Sequence, residues 1–175
     1  MTSQSQSKVP LGAKGRDGMP SKNLAWLIST TCLVALLWTV GCGYGDPIQS
    51  NPDAWIEIRG RRVAVEIADS PSEQAKGLGS RDALAWNHGM YFEYAEPAFY
   101  SFWMKDVRFS IDIVWLRDGR IVDLDVRVPF QEGSNGPTVR PAELVDAVLE
   151  VPAGYAVAHR WQIGDRVLFE RVRRE

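Results

Sequence analysis

Regular alternation of apolar and polar residues around position 110 is the clearest pattern in this chain. Polar residues occupy most of the intervening positions, and the apolar residues are Val107, Phe109, Ile111, Ile113 and Trp115. A period of two is typical of a β-strand with one buried face. The pattern therefore predicts a strand here, and it places Asp112 on the face opposite Ile111 and Ile113.

Shorter apolar runs bounded by turn residues predict further strands along the chain. The pair Asp118-Gly119 is a strong tight-turn signal, and Gly60-Arg61 is the expected turn of an earlier hairpin. Residues 90–94 and 100–104 are expected to be strands joined across Glu96-Pro97. The predicted strands comprise residues 55–59, 62–67, 90–94, 100–104, 110–116, 120–126, 147–151 and 166–172.

Two short helices and one long loop complete the predicted elements. Ser70-Pro71-Ser72-Glu73 is a capping box with proline at the first helical position, which predicts a short helix ending at Gly77 or Gly79. A second short helix is expected within residues 152–161, and the loop 129–141 is long enough to be a functional flap. The prediction is a mainly β (α+β) domain, a single compact β-barrel or sandwich of about seven or eight short strands with two short helices.

The first 42 residues have the order of an export signal. A basic, polar region precedes a largely apolar run at residues 24–40, which ends in Val40-Gly41-Cys42. Small residues before a cysteine are typical of a bacterial lipoprotein cleavage site, so we expect lipidation at Cys42. The alternative is an N-terminal membrane anchor that is not cleaved. The predicted organisation is a signal peptide over 1–42, a linker over 43–53 and a β-domain over 54–172.

Either alternative places the domain outside the cytoplasm and tethers it to a membrane. Gly43 after Cys42 favours the outer membrane in an organism that has one. The only cysteines are Cys32 and Cys42, so the mature domain would contain no thiol and no disulfide. Residues 1–42 contain four of the 20 basic residues and one of the 22 acidic residues, which leaves a formal net charge of −5 for residues 43–175. That sign argues against a nucleic-acid partner.

Motifs of the common catalytic sites are missing from the sequence. The two histidines, His88 and His159, lie far apart, and no clustered ligand pattern predicts zinc. No serine occupies a nucleophile elbow, and Gly77-Leu78-Gly79 follows a helix where a phosphate loop would precede one. We therefore expect no metal and no cofactor.

Ordered motifs across residues 55 to 171 resemble the bacterial and archaeal family called domain of unknown function 192. The family typically shows Gly-Leu-Met-x-Arg, Gly-Met-Leu-Phe, Phe-Trp-Met-Lys-Asn-Thr, Pro-Leu-Asp-Ile, Leu-Glu-x-x-x-Gly and a final Gly-Asp. The corresponding segments here are residues 77–81, 89–92, 102–107, 110–113, 149–154 and 164–165. Gly79 replaces the usual Met, Asp106-Val107 replaces Asn-Thr, and Ser110 replaces Pro. The resemblance implies a fold and candidate residues but no reaction.

Seven residues at these motif positions form the candidate ligand site: Arg81, Met90, Trp103, Met104, Lys105, Asp112 and Glu150. An apolar, aromatic pocket with a few convergent charges is the usual composition of a small-ligand site. In it, Arg81 could hold a carboxylate and Trp103 could stack on a sugar or aromatic group. The alternative is structural, with Lys105 and Arg81 paired to Asp112 and Glu150 inside the barrel. If the strand runs unbroken from residue 102 to residue 111, Lys105 shares a face with Val107 and Phe109, and its stem is expected to be buried.

Three functions remain open at this point. The first is a non-enzymatic, membrane-anchored module that binds a small polar molecule, a partner protein or an envelope glycan. The second is an envelope enzyme in which Lys105 acts with Asp112 or Glu150 as general acid and base. The third is a purely structural accessory protein. An open cleft lined by these residues would favour binding, whereas a sealed ion-pair cluster would favour the structural role.

Overall fold

The computed structural model describes residues 51–173, and these form a curled seven-stranded half-barrel sheet, a second small sheet and two short helices. The predicted mainly β fold is therefore confirmed. The predicted signal peptide with Cys42, and most of the predicted linker, lie outside the described residues. The elements are β1 (Ala54–Ile58), β2 (Arg61–Ala68), α1 (Pro71–Lys76), β3 (His88–Ala98), β4 (Phe102–Trp103), β5 (Ile111–Arg117), β6 (Arg120–Val128), β7 (Thr138–Val139), β8 (Val145–Pro152), α2 (Tyr155–Ala158) and β9 (Val167–Arg171).

The large sheet has the strand order β6-β5-β8-β3-β2-β1-β9. Strands β2 and β3 run parallel, and every other neighbouring pair in this sheet is antiparallel. The turn between β5 and β6 is Asp118-Gly119, as predicted, with φ values of 50° and 67°. Two successive positive φ angles are those of a primed hairpin turn, whose twist matches that of the flanking strands.

The parallel pair requires a crossover from β2 to β3, and this crossover contains α1. The predicted capping box is confirmed, because the Ser70 side chain accepts from the Glu73 backbone N–H while the Glu73 side chain accepts from the Ser70 N–H. The helix ends at Lys76, and Gly77 follows with a φ of 49°. No residue of α1 is buried, so the helix lies on the surface of the sheet.

The predicted connection between two strands at Glu96-Pro97 is wrong. Strand β3 continues through Pro97 to Ala98, where a shift of register between Glu93 and Ala98 accommodates the proline. Strand β4 pairs instead with β7, which lies inside the loop predicted as a flap. This distant pairing forms the second sheet and brings residues 129–141 against the segment that follows β4.

Two hydrophobic cores lie on the two faces of the large sheet. The first contains residues from β1, alternate residues of β8 such as Leu149, and Tyr155 of α2. The second contains Phe92, Phe102 and Trp115 and is covered by β4, β7 and the crossover. Among residues 51–173, no helix is long and apolar enough to cross a membrane.

Candidate functional site

A pocket of about 330 Å³ opens between the end of α1 and the segment around β4. Its walls come from the crossover, from β3, from the segment 100–107 and from the central strand β8. The strand β8 contributes a single residue, Glu150. The volume lies at the lower end of the range for small-molecule sites.

Glu150 lies at the base of this pocket on the most central part of the sheet. Its partners in register are Met90 on β3 and Ile113 on β5, and both belong to the second core. The residue is 4% exposed, and Oε2 has no hydrogen-bond partner among residues 51–173. Burial raises the pKa of the Glu150 carboxyl to about 8, and the positive charge of Arg81 opposes this increase.

Gly77 presents no side chain toward the Glu150 carboxyl at the pocket. A Cβ atom at this position would lie 3.9 Å from Glu150 Oε2 and 3.6 Å from Phe92 Cζ. The positive φ of Gly77 also favours glycine, since residues with a Cβ rarely adopt this conformation. The turn that ends α1 therefore passes over the carboxyl without a side chain to cover it.

Aromatic side chains form the walls of the pocket. The rings of Tyr94 and Tyr100 stack with centroids 3.6 Å apart, and Phe92 meets Phe102 edge to face at 4.8 Å. The pKa of the Tyr94 hydroxyl is raised above its usual range, mainly by burial and then by Tyr100 and the nearby Glu150. Trp103 also lines the pocket, and its side chain is 54% exposed.

Lys105 lies at the pocket, but it is exposed and is not buried beside the strand as expected. The expected burial assumed an unbroken strand from Phe102 to Ile111. That strand is broken, because β4 ends at Trp103 and Asp106 has a φ of 59°. Lys105 forms no ion pair with any described residue, so the structural alternative, in which it pairs internally with Asp112 or Glu150, is wrong.

Arg81 is fixed by another carboxylate beside the site. Its Nη1 and Nη2 atoms contact the two carboxylate oxygens of Glu66, with Nη2 at 2.8 Å from Oε2. This bidentate pair raises the pKa of the Arg81 guanidinium, and Glu150 adds a smaller effect in the same direction. Arg81 is therefore an electrostatic neighbour of Glu150, while its hydrogen bonds are directed to Glu66.

Asp112 lies on the opposite face of the sheet from Glu150. Glu150 is directly opposite Ile113, and the residue next to Ile113 must point the other way. Asp112 accepts hydrogen bonds from the backbone N–H groups of Arg127, Gly154 and Ala156 at 2.7–2.9 Å. The sheet therefore separates two carboxylates that the sequence analysis grouped together, and Asp112 holds the turn into α2.

The two candidate methionines belong to the second core. Met90 is 6% exposed and Met104 is 1% exposed. Met104 lies under the long loop, where a Cβ atom on Gly136 would come within 2.6 Å of Met104 Cβ. Of the seven candidate residues, the structure brings Trp103, Lys105 and Glu150 together around the pocket and leaves the others beside or behind it.

Comparison with known proteins identifies the family to which this arrangement belongs. The model of domain of unknown function 192 (DUF192), described as an "uncharacterized ACR", matches residues 54–169. The chain is a member of the DUF192 family. No curated protein matches the chain.

Two solved structures are similar to this DUF192 domain. A protein of unknown function from Novosphingobium aromaticivorans is 28% identical, with a TM-score of 0.60, and the match covers 65% of this chain and 83% of that chain. A protein from Sinorhizobium meliloti, designated a proposed transcription regulator, is 27% identical, with a TM-score of 0.62, and the match covers 70% of this chain and 98% of that chain.

The DUF192 pocket also contains residues that the sequence analysis did not select. Lys76, Gly77, Tyr94 and Tyr100 all line it. The sequence contained one signal for Lys76, because Lys76 and Lys105 are the only lysines after residue 22. The tyrosines gave no such signal, since their stacking depends on the path of the chain after β3.

Metal ligands are not clustered in the part of the chain that the structure describes. No group of three or more histidine, cysteine, aspartate or glutamate side chains there could hold a metal ion. His159 packs among Trp86, Tyr155 and Trp161, and burial lowers the pKa of its imidazole, with a further decrease from Arg61. This aromatic cluster involves α2 and belongs to the face opposite the pocket.

Proposed function

We propose that this DUF192 domain is a non-enzymatic module that binds a small molecule in the pocket between α1 and β4. The observation that carries the proposal is the buried Glu150 carboxyl, whose Oε2 has no partner among residues 51–173 and which lines an aromatic pocket. A buried polar atom without a partner is destabilising by about 1–3 kcal/mol. A ligand that forms a hydrogen bond with this atom would remove that cost.

The shape of the site favours binding over a purely structural role. A structural role predicts a sealed cluster of ion pairs, whereas Lys105 and Trp103 are exposed at an open pocket. Arg81 is bonded to Glu66, and Lys105 forms no ion pair within the described residues, so neither neutralises Glu150 directly. The charged groups around the pocket therefore remain available to a ligand.

A screen of small molecules by thermal shift tests the proposal on the full-length protein. A true ligand stabilises the folded state by mass action and raises the melting temperature. We expect Trp103→Ala and Glu150→Ala to abolish the shift, while Arg166→Gln, which removes an exposed charge outside the pocket, leaves it unchanged. A ligand whose shift survives both pocket variants would contradict the proposed site.

We propose further that the domain is tethered outside the cytoplasm as a lipoprotein, through Cys42. The support is the basic region, the apolar run and the sequence Val40-Gly41-Cys42. Several acyl chains on one cysteine would suffice for stable membrane attachment. Cys42→Ala is expected to leave the precursor uncleaved and unlabelled by radioactive palmitate, and labelling that persists in this variant would refute the tether.

Acid–base catalysis is the second candidate, and the raised pKa of Glu150 is the observation that favours it. A carboxyl that titrates near pH 8 can donate and accept a proton under physiological conditions, with Lys105 as the other group at the same pocket. Asp112 takes no part because its side chain lies on the opposite face of the sheet from the pocket. Any molecule found by the screen is therefore to be checked by mass spectrometry for conversion, which Glu150→Gln should abolish if it occurs.

The S. meliloti protein is designated a proposed transcription regulator, and a role of that kind through direct contact with DNA is not supported by the charge of this chain. Residues 43–175 have a formal net charge of −5, and contacts with phosphates require excess positive charge. A small ligand or an envelope partner remains the better match to the pocket.

A further inference from the structure

We infer that the ligand of this pocket is a small anion with an apolar or aromatic body, held by Lys76 and Lys105, with the Glu150 carboxyl donating a hydrogen bond to a ligand oxygen. This inference rests on the proposed binding function, and it specifies the charge of the ligand. The observations that support it are the position of the lysines, the state of Glu150 and the composition of the walls.

The distribution of lysine is the first observation. Within residues 51–173 every basic side chain other than histidine is an arginine, except Lys76 and Lys105, and both of these line the same pocket. They come from separate elements, since Lys76 ends α1 and Lys105 follows β4. Both side chains are exposed, and neither forms an ion pair within this part of the chain. Two ammonium groups at one small pocket provide a site for an anion.

The protonation of Glu150 is the second observation. Its burial raises the pKa of the carboxyl to about 8, so the group is mainly neutral at pH 7. The charged and titratable groups around it are Arg81 with its partner Glu66, the phenols of Tyr94 and Tyr100, and the two lysines. Arg81 and Glu66 cancel each other, and the raised pKa of Tyr94 keeps its phenol neutral. The pocket therefore has a net positive charge at neutral pH.

A neutral carboxyl presents an O–H donor, and an anionic oxygen is a strong acceptor for it. The hydrogen bond between a carboxylic acid and an anion is charge-assisted and stronger than one between neutral groups. Oε2 has no competing partner in the described residues, and Gly77 does not cover it. An anion that reaches the base of the pocket would therefore keep Glu150 protonated.

The walls and the volume limit the remainder of the ligand. The aromatic residues that line the pocket are Phe92, Tyr94, Tyr100, Phe102 and Trp103. A space of about 330 Å³ accepts one ring with a short acidic group. Aromatic walls hold such a ring by apolar contact and by edge or stacked geometry.

An amine or an amino-acid zwitterion would behave in the opposite way. Its ammonium group would pair with ionised Glu150, and the two lysines would repel it. Binding of such a ligand would become stronger as the pH rises above 8, because ionised Glu150 would then be abundant. The sign of the pH dependence therefore separates the two ligand classes.

Nuclear magnetic resonance titrations of the full-length protein provide the test. The probes are benzoate, phenylacetate, indole-3-acetate and phenyl phosphate, each matched with its neutral amide or alcohol, together with benzylamine and phenylalanine. We expect at least one anion to bind about tenfold more tightly than its neutral analogue. Its affinity should decrease about tenfold between pH 7 and pH 9, since the neutral fraction of Glu150 decreases by that factor.

Variants assign the effect to the named side chains. Glu150→Gln keeps an N–H donor and cannot ionise, so its anion affinity should be independent of pH in this window. Lys76→Gln and Lys105→Gln should each weaken anion binding about fivefold or more, whereas Arg166→Gln should leave it unchanged. The Glu150→Gln protein retains both lysines, so any pH dependence of binding that they cause also appears in this variant and can be subtracted.

The outcomes separate this inference from the function on which it rests. Binding confined to neutral or cationic probes would overturn the inference that the ligand is an anion, and so would an affinity that increases with pH and is lost in Glu150→Gln. Either result would leave the proposed binding function standing. Anion binding that is unaffected by either lysine variant would also overturn it. Absence of binding by every probe overturns the anion inference, and failure of the broader thermal-shift screen as well would overturn the binding function.

Discussion

Asp112 and Glu150 are both buried carboxylates on neighbouring central strands, but their surroundings differ completely. Asp112 is 0% exposed and accepts three hydrogen bonds from backbone N–H groups, two of them at the turn into α2. Glu150 is 4% exposed, and its Oε2 has no partner within residues 51–173. One acid is surrounded by donors supplied by the fold, and the other lies against a pocket.

Burial alone therefore does not reveal the role of an acid. The donors around Asp112 belong to the backbone, so their hydrogen bonds fix the loops at 127 and 153–156. The environment of Glu150 favours the neutral form, because desolvation dominates and Arg81 is already bonded to Glu66. A carboxyl that the fold leaves without a partner is the better candidate for contact with a ligand.

The largest expected effect is the loss of stability in Asp112→Asn. The amide cannot accept all three hydrogen bonds, and its own N–H group would face backbone donors. We expect the free energy of unfolding to decrease by about 4 kcal/mol in urea melts. Asp146→Asn is a control, since Asp146 accepts one exposed backbone hydrogen bond and should lose about 1 kcal/mol or less. Equal losses in the two variants would contradict the structural role of Asp112.

Glu150→Gln should change the pH dependence of stability. The pKa of Glu150 is about 8 in the folded protein against an ordinary value of 4.5, so the folded state binds its proton more tightly. The stability that this proton contributes is complete below pH 4.5 and is lost as the pH rises to 8. Relative to the unmodified protein, Glu150→Gln should gain about 3.5 kcal/mol between pH 5 and pH 8, at about 1.4 kcal/mol for each unit of pH over most of that range. A difference that stays constant with pH would show that Glu150 is ionised when folded.

Gly77→Ala places a methyl group over the Glu150 carboxyl. The positive φ of this residue should make alanine destabilising by about 1 kcal/mol, and the methyl group should weaken ligand binding. Gly133→Ala is matched to it, because Gly133 has a φ of 71° and a Cβ there would contact nothing within 4 Å. Urea melts and ligand titrations of both variants should show similar losses of stability but weaker binding only for Gly77→Ala.

The smallest effect on stability is expected for Lys105→Met. The ammonium group is exposed and has no ion pair in the described chain, so the free energy of unfolding should change by about 0.5 kcal/mol or less. Ligand binding should be lost if Lys105 contacts the ligand. A loss of several kcal/mol in denaturant melts would show that the lysine is paired inside. A neutral result for both stability and binding would exclude Lys105 from the site.

The elements that were predicted correctly depend on interactions between near neighbours. The capping box spans Ser70 to Glu73, and the hairpin turn is confined to Asp118-Gly119, so residue type and short spacing were sufficient. The alternation that predicted β5 also placed Asp112 correctly, on the face opposite Ile111 and Ile113. Local physics therefore predicted most of the strands and both helices.

The errors arose where distant segments decide the outcome. The positive φ of Asp106 breaks the chain direction there, so the alternation that begins at Val107 does not extend back to Lys105. The pairing of β4 with β7 depends on a loop about 35 residues later in the chain. The sequence also grouped Asp112 with Glu150, although the sheet separates them, because motif order does not indicate which face a carboxylate occupies. Only the assembled sheet showed that Trp103, Lys105 and Glu150 meet at one pocket.

The pairing of β1 with β9 has a consequence for how this domain can be rewired. Ala54 lies opposite Arg171, and the Val172 backbone N–H donates to the Asp53 carbonyl oxygen at 2.9 Å. The start of β1 and the end of β9 are therefore close enough for a short peptide to join them. A circular permutant that opens at Gly133, in the exposed loop, would preserve every strand pairing of the large sheet while moving its termini to a different side of the domain.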